Sequence, residues 1–234
     1  MAEAGSILHK ILHQIGLAVQ DGTTTKELDA LASGLCNKYH VAPAFLGYRG
    51  YPASICASVN DTVVHGIPND YKLKGGDIVG IDIGIKYRGY YADSAVTAPI
   101  GAVNAQTKKL VNAASDALKS AIDGVRPGAA LGDIGFVISK VAQNNNLGVV
   151  KELSGHGIGR SLQEKPAILN YGNPKEGLTL KEGMCLAIEP MFTLGSPEIY
   201  LSKDNWSVKT KDGSPSAHFE HTVVVTKNGC KVLT

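Results

Sequence analysis

Apolar residues recur at helical spacing in two stretches of the chain, and the two stretches resemble each other. In the first stretch, positions three or four residues apart predict one buried helix face: Leu8, Ile11, Leu12, Ile15 and Val19. The same spacing returns 106 residues later: Ala114, Ala117, Leu118, Ala121 and Val125. A second apolar stripe follows each of these and predicts a second helix in each stretch: Leu28, Leu31 and Leu35, then Ile134, Val137 and Val141. Thr24 or Thr25 is a suitable N-cap for the second helix of the first stretch.

The segments that follow the helices also resemble each other. Residues 73–82 and 180–189 each begin with a glycine-marked turn, continue as a short apolar strand and end in an acid, Asp82 or Glu189. The repetition predicts two pseudo-symmetric halves, about 1–103 and 104–234, within a single domain spanning 1–234. We expect an α+β fold in which both halves contribute to one curved, mainly antiparallel sheet flanked by helices.

Composition narrows the class of protein. The 234 residues have a net charge of +2, which provides no bulk electrostatic field for nucleic acid or an acidic membrane. No apolar run reaches the length of a membrane span, and the first residues lack the pattern of a signal peptide. The four cysteines are far apart and form no CxxC pair, which favours reduced thiols and a cytoplasmic location.

Two acids lie in a segment that the sequence predicts to be a hairpin, residues 81–93. With Tyr87 and Arg88 as the loop residues, Asp82 is expected directly opposite Asp93, with Cβ atoms about 4.5–5.5 Å apart. Two carboxylates at that distance repel each other unless a cation lies between them. If the turn lies elsewhere, both acids could instead be solvated.

Two further acids and two histidines have unusual settings. Glu189 ends an apolar strand and Glu220 begins a run of β-branched residues, although either could be an edge-strand charge facing water. His65 and His156 each precede Gly-Ile. The glycine leaves the imidazole unobstructed for a metal ion or a substrate, although either histidine could also be an ordinary turn residue. Oxygen-rich sites with some imidazole suit divalent Mn, Fe, Co or Zn, and two such ions would neutralise four carboxylates.

The ordered motifs of the chain resemble a known family. They occupy residues 60–68, 155–160, 188–190 and 220–222, together with the acid pair, and segments 45–52 and 206–212 extend the likeness. This set is similar to the type I methionine aminopeptidases of the pita-bread metallopeptidase family, over nearly the whole chain. No phosphate-binding loop, dinucleotide fingerprint or serine-nucleophile elbow competes with it.

The resemblance implies a metal centre and its chemistry. Its five ligands would be Asp82, Asp93, His156, Glu189 and Glu220. They would hold two divalent cations (Co2+, Mn2+, Fe2+ or Zn2+), with a bridging water or hydroxide attacking the peptide bond after an N-terminal methionine. Glu189 would shuttle a proton, and His65 would contact the scissile amide. The resemblance places the first side chain among Phe45, Tyr48, Tyr51, Leu162 and Trp206, although these residues could also be core alone.

The chain departs from the family at three site positions. Gln163 stands where the family has a histidine that donates to the scissile carbonyl; an amide can donate there but cannot hold a positive charge. Phe45 replaces a cysteine common in bacterial members, and Leu162 replaces a phenylalanine. We therefore keep two alternatives, a related Xaa-Pro exopeptidase and a catalytically weakened metal-binding interaction protein.

The resemblance also implies partners and a cellular setting. It begins inside the first predicted helix and shows no extension of the eukaryotic kind. We therefore expect a bacterial-type cytoplasmic monomer that acts on nascent polypeptide N-termini, with transient ribosome contact and with neither specific nucleic acid nor membrane as a partner.

Overall fold

A computed structural model describes all residues 1–234. The four helices are α1 (Ala2–Ala18), α2 (Thr25–Lys38), α3 (Ala105–Asp123) and α4 (Leu131–Asn144). The strands of the first half are β1 (Ala42–Pro43), β2 (Cys56–Val59), β3 (Thr62–Val64), β4 (Ile78–Tyr87) and β5 (Tyr90–Pro99). The strands of the second half are β6 (Gly148–Val149), β7 (Ser154–Gly157), β8 (Glu164–Leu169), β9 (Cys185–Ile188), β10 (Met191–Thr193), β11 (Ile199–Leu201), β12 (Val208–Thr210), β13 (Ser216–His218), β14 (Glu220–Thr226) and β15 (Gly229–Val232).

One nine-stranded sheet dominates the molecule. Its order is β1-β4-β5-β14-β9-β7-β8, with β2 added beside β4 and β15 beside β14, and every pairing is antiparallel. Strands from both halves meet where β5 pairs with β14, which confirms that both halves contribute to one antiparallel sheet, as the sequence predicted. Two three-stranded sheets, β13-β10-β6 and β11-β12-β3, were not predicted.

The helices cover the sheet through the predicted apolar stripes. In α1, Leu8, Ile11 and Ile15 are fully buried against residues of β4, and α3 and α4 enclose a separate core over the second half. Thr24 is the N-cap of α2: its hydroxyl accepts from the backbone N–H of Glu27, whose carboxylate accepts in return from the backbone N–H of Thr24. None of the helices combines the length and apolar character that crossing a membrane requires.

The two halves share local geometry at equivalent points. Gly22 and Gly128 both adopt left-handed backbone, with φ of 85° and 87°, at the exit from α1 and α3. The backbone N–H of Gly22 donates to Leu73, and that of Gly128 donates to Leu180, at 2.8 and 3.0 Å. These contacts tie each helix pair to its own turn-and-strand segment in the same way. They agree with the repeat, and the division of the chain into two halves stays a prediction.

The hairpin turn between β4 and β5 lies one residue further along than predicted. Tyr87 pairs with Tyr90, so the loop residues are Arg88 and Gly89, both at positive φ (48° and 82°). Two-residue hairpin loops favour positive φ at both loop residues. Gly89 adopts a positive φ without steric cost, whereas the predicted loop would have required it of Tyr87. The expected direct opposition of Asp82 and Asp93 is therefore wrong.

Candidate active site

One cavity collects every residue that the sequence analysis assigned to a site. Its lining is Phe45, Tyr48, Arg49, Tyr51, Cys56, His65, Asp82, Asp93, His156, Leu162, Gln163, Glu189, Trp206 and Glu220. Arg49 and Cys56 are the two members that the analysis did not name. The cavity thus has a carboxylate and imidazole floor beside an aromatic wall, while the individual roles of these residues stay predictions.

The corrected register still places the acids on one face of the sheet. Ala95 in β5 pairs with Asp82 of β4 on one side and with Glu220 of β14 on the other. Asp93 lies two residues before Ala95, and alternate residues of a strand share a face. Asp93 faces Gly84, where a Cβ atom would lie 3.2 Å from an Asp93 carboxylate oxygen, so the glycine leaves room for the acid.

The remaining two predicted ligands come from the adjoining strands. Glu189 directly follows β9, whose Ile188 pairs with His221, the residue after Glu220. His156 in β7 pairs with Ala187 of β9. A Cβ atom added at Gly155 would collide with the carbonyl of Ala187, so this glycine allows β7 to approach β9 closely.

Burial of the four carboxylates makes their charge costly. Loss of solvent raises the pKa of Asp93 and of Glu189 to about 7, and the neighbouring Glu189 carboxylate adds to the shift of Asp93. Burial followed by repulsion from Asp93 raises the pKa of Asp82 and of Glu220 well above their ordinary values. One oxygen of each of these last two acids, Oδ1 and Oε1, is buried without a hydrogen-bond partner.

The His156 imidazole directs its Nε2 at this acidic group. Its Nδ1 lies 2.9 Å from the carbonyl oxygen of Gly157, which can only accept, so Nδ1 donates to it. This contact orients the ring and leaves Nε2 at 4.0 Å from Asp93 Oδ2 and 3.6 Å from Glu189 Oε1, where it can serve as a metal ligand. Ligand atoms of Asp93, His156 and Glu220 all lie within 4.8 Å of one another, a set that fits a divalent metal ion.

His65 enters the cavity from a constrained turn. It follows β3 with a φ of 58°, in the left-handed region that side chains other than glycine rarely adopt. Burial lowers the pKa of its imidazole to about 4, and nearby His218 adds to the shift. His65 is therefore neutral near pH 7 and can donate or accept a hydrogen bond at a substrate amide.

Aromatic side chains form the wall of the cavity. The Tyr51 ring stands edge-on to Phe45 at 6.5 Å and to Trp206 at 5.0 Å between ring centroids. The buried Tyr51 hydroxyl lies 3.1 and 3.0 Å from the carbonyl oxygens of Ile55 and Gly66, which hold the ring in place. Leu162 belongs to the same apolar cluster, with Tyr48 at its edge. This wall suits a flexible apolar side chain such as that of methionine.

Gln163 lies at the open side of the cavity. Its side chain is exposed, and with His156 it also lines a shallower polar groove that contains Ser154 and Lys165. Gln163 therefore lies where the cavity and the groove adjoin.

His218 contacts a residue of the cavity, although the sequence analysis did not name it. It is buried at the end of β13, with Nε2 at 3.6 Å from Glu189 Oε2, and burial lowers its pKa to about 4. One signal was present in the sequence: His218 and Glu220 are two residues apart in an extended run, so their side chains share a side of the chain.

The fold and this cavity together define a metal-dependent hydrolase with the pita-bread fold. The model of "Metallopeptidase family M24" matches residues 1–227, and the chain belongs to that family. The chain is 45% identical to the methionine aminopeptidase of Rickettsia prowazekii (strain Madrid E), covering all of this chain and 91% of that protein. It is 43% identical to methionine aminopeptidase 1 of Bacillus subtilis (strain 168), covering 100% and 94%. The crystal structure of the Thermotoga maritima methionine aminopeptidase superposes with a TM-score of 0.98 at 40% identity, covering 100% and 94%.

Proposed function

We propose that this protein is a methionine aminopeptidase, which hydrolyses the peptide bond after an N-terminal methionine. One observation carries the proposal: a buried group of four carboxylates and an imidazole shares its cavity with an aromatic wall. The acidic part can hold metal ions, and the wall can hold an apolar first side chain. The named relatives, which the chain matches over its full length, support this choice of activity.

Five side chains would hold two divalent cations: Asp82, Asp93, His156, Glu189 and Glu220. The orphaned carboxylate oxygens and the inward-facing Nε2 of His156 support this assignment. Mn2+, Fe2+, Co2+ and Zn2+ all suit such a mixed oxygen and nitrogen set. When bound, such cations lower the pKa of a coordinated water and polarise the substrate carbonyl.

The surrounding residues would orient the peptide and move its protons. The Glu189 carboxylate would accept the proton of the attacking water, since it is a buried base next to the acidic group. The neutral His65 imidazole would hydrogen-bond the scissile amide and assist departure of the amine. The Gln163 amide would donate to the carbonyl oxygen in place of an imidazole.

Specificity would follow from the shape and charge of the cavity. Phe45, Tyr51 and Trp206 would enclose the thioether, with Tyr48 and Leu162 completing the wall. The free α-amine, which only the first residue of a chain has, would approach one of the cations at the floor of the cavity. We propose nascent polypeptide N-termini in the cytoplasm as the substrate, with a monomeric enzyme that contacts the ribosome transiently.

Peptide hydrolysis tests the proposed function. Metal-free protein is reloaded with Mn2+, Fe2+, Co2+ or Zn2+ in turn under anaerobic conditions and incubated with Met-Ala-Ser and with a Xaa-Pro peptide. We expect methionine release from Met-Ala-Ser and no cleavage of the Xaa-Pro peptide. Cleavage of the Xaa-Pro peptide alone would make the protein an Xaa-Pro exopeptidase. Metal binding without cleavage of either would indicate an interaction protein.

A further inference from the structure

We propose that His218 is a positioning residue that holds Glu189 in its metal-binding orientation through its Nε2–H group. The inference rests on the proposed metal centre and assigns a role to a residue that does not line the cavity. We therefore assign its effect on the reaction to a neighbouring side chain. The Glu189 carboxylate is that neighbour, at 3.6 Å.

The two ends of the Glu189 carboxylate face different imidazoles. Oε1 lies 3.6 Å from Nε2 of His156, and Oε2 lies 3.6 Å from Nε2 of His218. In the proposed metal centre Nε2 of His156 is a metal ligand, so His156 has no donor to offer Glu189. His218 Nε2 is the atom on the other side that can donate to this carboxylate.

The Nε2 atom of His218 makes no other hydrogen bond. Nε2 is buried and has no hydrogen-bond partner, although it lies only slightly beyond hydrogen-bonding distance of Oε2. An unmet buried donor costs about 1–3 kcal/mol, so an arrangement in which Nε2–H bonds to the carboxylate is favoured. A donor on Oε2 fixes the rotation of the carboxylate and leaves Oε1 directed toward the metal-binding group.

Side-chain hydrogen bonds also support the backbone of both partners. The Thr97 hydroxyl accepts from the backbone N–H of His218 at 2.9 Å and donates to its carbonyl oxygen at 2.7 Å. Glu189 is also held by its main chain, because the Asn170 side-chain amide donates to the Glu189 carbonyl at 3.0 Å. These bonds act on the two backbones, whereas the imidazole–carboxylate contact acts on the Glu189 side chain itself.

Metal titration of His218 variants tests the role. H218F keeps a ring of similar volume without the donor, H218A removes the ring, and H218Q restores an N–H donor. Isothermal titration of metal-free protein with Mn2+, and the visible absorption of the Co2+ form, report on the metal site independently of activity. We expect a 10- to 100-fold loss of Mn2+ affinity, of the order seen for outer-shell partners, in H218F and H218A. In H218Q we expect affinity within about threefold of the wild type.

T97V is the matched control, because it removes both side-chain bonds to the His218 backbone and leaves the imidazole. We expect T97V to lower thermal stability while keeping Mn2+ affinity within about threefold of the wild type. The proposal is overturned if H218F and H218A bind Mn2+ like the wild type, or if T97V loses as much affinity as they do. Failure of the wild type to bind Mn2+ would instead refute the proposed metal centre, and the proposed role of His218 would fall with it.

Discussion

Replacing Glu189 by glutamine should stabilise the metal-free protein at alkaline pH. The folded structure raises the pKa of this carboxyl from 4.5 to about 7, mainly because it is buried. A raised acid pKa means that stability is fully present below pH 4.5 and declines as the pH rises through 7. The shift then costs about 3 kcal/mol of stability at pH 8, where the buried carboxyl is ionised, but only about 1 kcal/mol at pH 5, where it stays protonated in the fold. Glutamine avoids this cost because it carries no charge at either pH.

The assay is urea unfolding of E189Q and the wild type in the presence of a chelator at pH 5 and pH 8. We expect the difference in unfolding free energy to favour E189Q by about 2 kcal/mol more at pH 8 than at pH 5. E182Q is the control, since Glu182 is exposed and should change stability by less than about 0.5 kcal/mol at either pH. Saturating Mn2+ should reverse the order, because the variant loses a ligand and the wild type gains binding energy. A pH-independent difference between E189Q and the wild type would refute the reasoning.

Three further predictions address the substrate side, the strand packing and the aromatic wall. Q163H should raise the kcat for methionine release from Met-Ala-Ser about tenfold. This is less than the 10²–10³-fold effect of removing a complete oxyanion donor, because the glutamine amide already donates in part. An unchanged kcat would mean that the amide stabilises the oxyanion as well as an imidazole does. G155A should weaken Mn2+ binding in calorimetry and cost about 1–3 kcal/mol in urea unfolding, because its Cβ would meet the carbonyl of Ala187. G16A, in an open helical position, should instead stabilise the protein by about 0.5–1 kcal/mol. Y51F should cost about 1–3 kcal/mol in urea unfolding by removing the hydroxyl that meets two buried carbonyl oxygens; a cost no larger than that of an exposed substitution would contradict this.

The long elements of the fold could be predicted because their periodicity extends over many residues. The stripes of α1 and α3 continue for several turns, and the apolar runs ending at Asp82 and Glu189 mark β4 and β9. The β4–β5 turn was harder, because tyrosines on both sides of it make neighbouring registers look alike, and only the backbone angles of Arg88 and Gly89 distinguish them. The small sheets could not be predicted, since strands of two or three residues such as β6 and β10 show no period.

The site shows why some functional residues are visible in a sequence and others are not. An ionised acid in an apolar strand violates local patterning at a cost of several kcal/mol, so the sequence pattern alone marks Asp82, Glu189 and Glu220 as unusual. A neutral buried histidine violates the pattern far less, because one hydrogen bond satisfies its N–H. His218 therefore resembles an ordinary strand residue, although its Nε2 faces Glu189. The strength of a sequence signal follows the desolvation cost of the group, so neutral residues that orient charged ligands become visible only when tertiary structure shows what they face.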